Sequence, residues 1–147
     1  MDIRNIIRIG KVSSINHTAG RVRVVFSDKD SIVSSELPLL SFEYNMPSVG
    51  DSVLCIFLLN GISKGFCLGK YYSDQNNPGE SGENIYFKDL LGEGFIRYDK
   101  TSKTLTLNAQ SIAFEGNVSV LGNLNVAGNL NVDGNITYEG TITDTTP

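Results

Sequence analysis

Glycine returns every six residues toward the carboxyl end of this chain, at Gly116, Gly122, Gly128, Gly134 and Gly140. The hexads read GNVSVL, GNLNVA, GNLNVD and GNITYE, and the last glycine opens GTITDTTP. After each glycine come two apolar residues separated by one polar residue: Val118 and Val120, Leu124 and Val126, Leu130 and Val132, Ile136 and Tyr138. Ile142 starts a further pair that Asp144 breaks, and Ile112 and Phe114 stand six residues ahead of Val118 and Val120. Apolar–polar alternation of period two marks short strands with one buried face. The repeated Gly-Asn pairs predict tight turns, because both residue types tolerate positive φ.

Repeats of strand and turn stack into solenoids, in which each repeat buries its apolar face against its neighbours. A β-helix built from a single chain uses about three hexads per coil. The five glycines here would give fewer than two coils, too few to close a core. Three copies solve the problem, each supplying one face of a prism. Full burial of two aliphatic side chains is worth roughly 3–6 kcal/mol per hexad. Left bare, the same residues form an aggregation-prone ribbon. Residues 105–147 are therefore expected to form one third of an intertwined trimeric β-helix. A flexible linker does not hold aliphatic residues in phase over successive repeats. A hexapeptide acyltransferase needs an aliphatic residue at one fixed place, yet Glu115, Leu121, Ala127, Asp133 and Glu139 precede the glycines, and the repeat contains no histidine.

Charge divides the chain at the same place. All 12 Lys and Arg lie between Arg4 and Lys103, whereas residues 104–147 carry only Glu115, Asp133, Glu139 and Asp144. A segment without cations is poorly suited to phosphate backbones or anionic headgroups. Just upstream, Phe95-Ile96-Arg97-Tyr98 and Lys103-Thr104-Leu105-Thr106-Leu107 flank a polar turn and read as a hairpin within a connecting region, residues 85–104.

Residues 1–73 read as an OB-like barrel. Expected strands are Ile9–Ile15, Arg21–Phe26, the Pro38-containing edge segment Ser35–Leu40, Ser52–Leu58 and Lys64–Lys70. Turn sequences separate them, including Asn16-His17-Thr18-Ala19-Gly20, Pro47-Ser48-Val49-Gly50-Asp51 and Asn60-Gly61. An OB fold raises nucleic-acid binding, which needs a basic groove with aromatic platforms. Phe26 and Phe66 occupy apolar strand positions and are expected in the core, so no nucleic-acid partner is expected. Cys55 and Cys67 are expected as small buried hydrophobes on adjacent strands, and His17 as a surface turn residue. Residues 74–84, polar throughout with a Pro78-Gly79 pair, read as a linker.

Chemistry is hard to find. One His excludes any two-histidine metal site within a chain, and no nucleophile elbow, Walker A or metalloprotease motif occurs. Gly92-Glu93-Gly94 lacks the third glycine of a dinucleotide loop. Asp28 and Asp30 share a polar turn with too few ligands for a cation. No enzymatic activity and no cofactor are expected. The longest apolar run, Val53–Leu59, falls far short of the roughly 20 residues of a membrane span. With no secretory signal visible, synthesis in the bacterial cytoplasm is expected.

The order of parts resembles the phage baseplate assembly protein V family, the central spike of contractile tails, with relatives in type VI secretion and phage-tail-like bacteriocins. In the barrel the resemblance rests on Gly10-Lys11-Val12, Gly20-Arg21-Val22-Arg23-Val24, Leu37-Pro38, Tyr44–Val53 and Gly65-Phe66-Cys67-Leu68-Gly69. Farther on it rests on Ile96-Arg97-Tyr98-Asp99, Leu105-Thr106-Leu107 and the hexads. The resemblance implies a homotrimer resident in the baseplate of a virion or tail-like particle. Its barrels would dock on a tail hub protein, and its needle would puncture the target cell envelope when the sheath contracts. Many family members end in a His-x-His iron tip, but here no histidine follows His17. The end is then blunt and polar, capped by a separate tip protein, or built from three copies of Asp144 around a cation. A trimeric glycan-binding fibre is the alternative function.

Overall fold

The computed structural model describes residues 6–28, 30–58 and 63–143. The fold is all-β, with two antiparallel sheets and no α-helix among the described residues. The first sheet contains β1 (Ile7–Asn16), β2 (Arg21–Phe26), β3 (Ile32–Val33), β4 (Leu37–Pro38), β5 (Ser52–Phe57) and β6 (Gly65–Lys70). The second contains β7 (Ile85–Asp89), β8 (Phe95–Asp99) and β9 (Thr104–Asn108) in the order β7-β8-β9.

Alternation decides which residues enter the core. Along β2, Val22, Val24 and Phe26 are buried while Arg21 and Arg23 face out; along β5, Val53, Cys55 and Phe57 are buried. Val12, Leu37 and Cys67 complete the cluster, and the Phe26 and Phe57 rings meet edge to face at 5.6 Å. In β1 the glycine at position 10 lets two strands close. A Cβ there would lie 2.7 Å from the Val25 carbonyl oxygen and 2.8 Å from Phe26 Cδ1.

Strands β3 and β4 share one edge of β2 in succession, β3 opposite Val25 and Phe26 and β4 opposite Arg21 and Val22. Between them Ser34 is buried, and its hydroxyl accepts a hydrogen bond from the Val24 amide at 3.0 Å. The side chain thus supplies the acceptor where the ladder is interrupted. Beyond β4, Leu39 forms a parallel bridge with Cys67 of β6. The neighbours β2, β1, β5 and β6 therefore return to β2 through β4.

The structure departs from the sequence reading in several places. Strand β1 starts at Ile7, two residues early, and its Arg8 points inward. That guanidinium is tolerated because it lies 4.1 Å from the Phe26 ring centre and donates to Asp28 at 2.8 Å. Phe66, expected in the core, faces outward and is 40% exposed. A bulge in the β5–β6 register between Leu54 and Cys55 leaves Cys67 as the inward residue of the Phe66-Cys67-Leu68 run. The Asn60-Gly61 turn lies outside the described residues. The segment read as a linker is not free along its length, because Glu80 pairs with Arg97 of β8 at 2.8 Å.

Gly10→Ala drives a methyl group into backbone and ring atoms at a site with no room to yield. It is expected to destabilise the first sheet by about 1–3 kcal/mol, read as a lower urea midpoint. An unchanged midpoint contradicts the close approach of β1 and β2.

Candidate functional site

Beyond β9 the chain runs as a ribbon through residues 109–143. Among the described residues this stretch pairs with no strand and makes no hydrogen bond within the chain. The hexads expected as strands thus have no ladder in a single copy, because nothing within one chain lies alongside them. The ribbon also does not coil back on itself.

Its geometry nonetheless repeats. The backbone bends at every glycine of the series. The first apolar position of each hexad is 64–71% exposed at Val118, Leu124, Leu130, Ile136 and Ile142. The second is less exposed, 43–60%, at Val120, Val126, Val132 and Tyr138. The apolar positions thus recur in exposure with the period of the sequence. Ile112 and Phe114 are exposed as well.

The glycines behave differently from expectation. Gly116 and Gly140 take positive φ of 124° and 125°, but Gly122, Gly128 and Gly134 do not. A Cβ at any of the five would meet no atom within 4 Å in one chain. At the central three positions, therefore, neither backbone conformation nor intrachain crowding calls for glycine.

Elsewhere the candidates are quieter. Among the described residues no three His, Cys, Asp or Glu side chains gather where they could hold a metal ion. Asp144 lies outside the described residues. His17 sits in an exposed turn, with Nδ1 3.2 Å from the Tyr44 hydroxyl. No helix among the described residues is long and apolar enough to cross a membrane. Asp99 accepts hydrogen bonds from the Ser102 and Thr101 amides, which hold its carboxyl below the usual range and fix the β8–β9 turn. Between the sheets opens a cleft of about 960 Å3 with Phe42, Met46, Leu68, Tyr72 and Phe87 among its lining residues. Lys88 of β7 pairs with Glu43 beside it and holds the Glu43 carboxyl low.

Cys55 and Cys67 stand opposite each other across β5 and β6, both buried and both free. The hydrogen bond with Cys67, reinforced by burial, pushes the Cys55 thiol far above the ordinary thiol range. Sequence reading placed the two correctly as buried neighbours. Arg8 and the outward Phe66 were missed, and only the long-range partners Asp28 and Leu54 reveal them.

No protein-family model matches the chain, and no curated protein matches it in sequence.

A buried thiol reacts as slowly as its site opens. Ellman's reagent is expected to leave both cysteines unmodified in the native protein and to titrate both after denaturation. Rapid native labelling of either contradicts the packing of β5 on β6.

Proposed function

We propose that the chain is the trimeric central spike of a contractile injection particle, a structural protein without catalytic activity. One observation carries this reading: a ribbon of regularly repeated apolar pairs that nothing among the described residues of its own chain covers. Aliphatic side chains held in register but bare to solvent need an apolar partner surface. Two further copies offer one of matching period. Glycines that a single chain does not require fit the same reading, since chains that wind together approach most closely where side chains are smallest.

In this reading the first sheet is a closed OB-like barrel. The circuit of neighbours through β1, β2, β4, β6 and β5 supports closure, with Leu39 and Cys67 as the seam. The barrels would seat the trimer on the tail hub, and the ribbons would wind into the needle. Wound together, three ribbons pair their backbone groups along the whole shaft and leave few free edges. Such a shaft transmits axial load; the contracting sheath supplies the energy, and the envelope of the target cell receives the point.

The alternative, a trimeric fibre that binds glycans, draws on the cleft between the sheets. Phe42 and Tyr72 are largely exposed there beside Asn76 and Asn77. Flat rings with neighbouring amides are groups that can hold a sugar. We rank it second, because the hexads themselves offer a glycan a single aromatic ring, Tyr138.

Sedimentation equilibrium of the full chain is expected to give three times the 16.0 kDa monomer mass. Val126→Asp would set three carboxylates into one dry layer. It is expected to yield monomers with both sheets intact by circular dichroism. A wild-type monomer overturns the spike; a heat-resistant Val126→Asp trimer overturns the assigned phase of the hexads.

A further inference from the structure

The sheet β7-β8-β9 has two faces, and the chain covers only one of them. On the covered side Gly79 lies against the Phe87 ring and Gly82 against Ile85, where added Cβ atoms would come within 2.9 and 3.1 Å. Glu80 there accepts from Arg97 Nε at 2.8 Å, and the Phe87 and Phe95 rings lie 5.4 Å apart. The segment after β6 thus acts as a strap over this side.

The opposite side carries two cross-strand rows, Tyr86–Tyr98–Leu105 and Lys88–Ile96–Leu107. Tyr86 is 58% exposed and Leu105 60%, with Tyr98 and Leu107 also open. Lys88 occupies one corner and is neutralised by Glu43. The remainder of the face is uncharged and apolar, and no strap among the described residues crosses it.

Chain connectivity says what covers it. Strand β9 ends at Asn108, and Ile112, the first apolar residue of the ribbon, follows four residues later. At about 3.3 Å per residue, the sheet stands within about 13 Å of the ribbon's first buried layer. Three ribbons wound about one axis bring three β9 strands to that axis together. What then stands opposite each bare face is the same sheet of another copy. An uncharged surface suits that position, because a threefold axis sets every charge beside two of its own sign.

We propose that the Tyr86–Tyr98–Leu105–Leu107 face packs against the other two copies, extending the trimer contact from the needle into β7-β8-β9. This rests on the trimeric reading above. The connecting sheet is then the shoulder of the shaft, where axial load passes from barrel to needle through apolar packing as well as through three covalent strands.

The test is nitration of the full-length protein with tetranitromethane, followed residue by residue by peptide mass mapping. Tyr44 and Tyr72, 71% and 73% exposed and outside the two cross-strand rows, serve as internal references. In sedimenting trimers Tyr86 and Tyr98 are expected to react at least about ten-fold more slowly than the references, a ratio set by burial of the rings. In Val126→Asp monomers the protection is expected to vanish. Trimers in which all four tyrosines react alike overturn this contact and leave the needle standing. Protection that persists in the monomer also overturns it, because the cover then belongs to the same chain. A wild-type protein that sediments as a monomer removes both.

Discussion

An apolar side chain held at a fixed place in a repeating backbone must find something to lie against, and the ribbon beyond β9 has nothing of its own. This constraint orders the whole molecule. The first sheet closes its core internally, with nine buried apolar side chains in a single cluster. The second sheet closes one side with the chain's own strap and leaves the other open. The ribbon closes neither. Burial thus falls steadily from the amino end to the carboxyl end.

That gradient suits a device that must be fixed at one end and stiff at the other. A domain with its own core can fold before it meets a partner. In the proposed trimer, a ribbon without a core would acquire one only on assembly, so winding would follow from bringing three folded heads together. The charge distribution agrees: cations, which pair with acidic groups in the two sheets, stop at Lys103. In the proposed trimer the ribbon would have few charges to bury, and burying unpaired charge is costly.

Local pattern made much of this legible in the sequence. Val22, Val24 and Phe26 alternate with Arg21, Arg23 and the half-buried Val25 between a glycine turn and a charged turn, so β2 was readable to both ends. The hexad period was equally plain, and the structure repeats it in exposure. Positions that depend on distant partners were not readable. Phe66 was misplaced because Phe66-Cys67-Leu68 has no alternation, and only the bulge opposite Leu54 decides which residue turns inward. Arg8 faces in because the Phe26 ring and Asp28, far along the chain, accept it. The two-residue β3 is too short to carry a period at all. The evenly spaced glycines conceal two backbone conformations, positive φ at Gly116 and Gly140 and not at the three glycines between them.

Amide hydrogen exchange across residues 112–142 of the native protein addresses the central claim most directly. A single chain offers those amides no acceptor among the described residues, so any slow exchange must come from other copies. The account predicts protection through the hexads at least as strong as in β1 and β5. Exchange at the rate of an unstructured peptide through that stretch, in protein whose first sheet is protected, would contradict it.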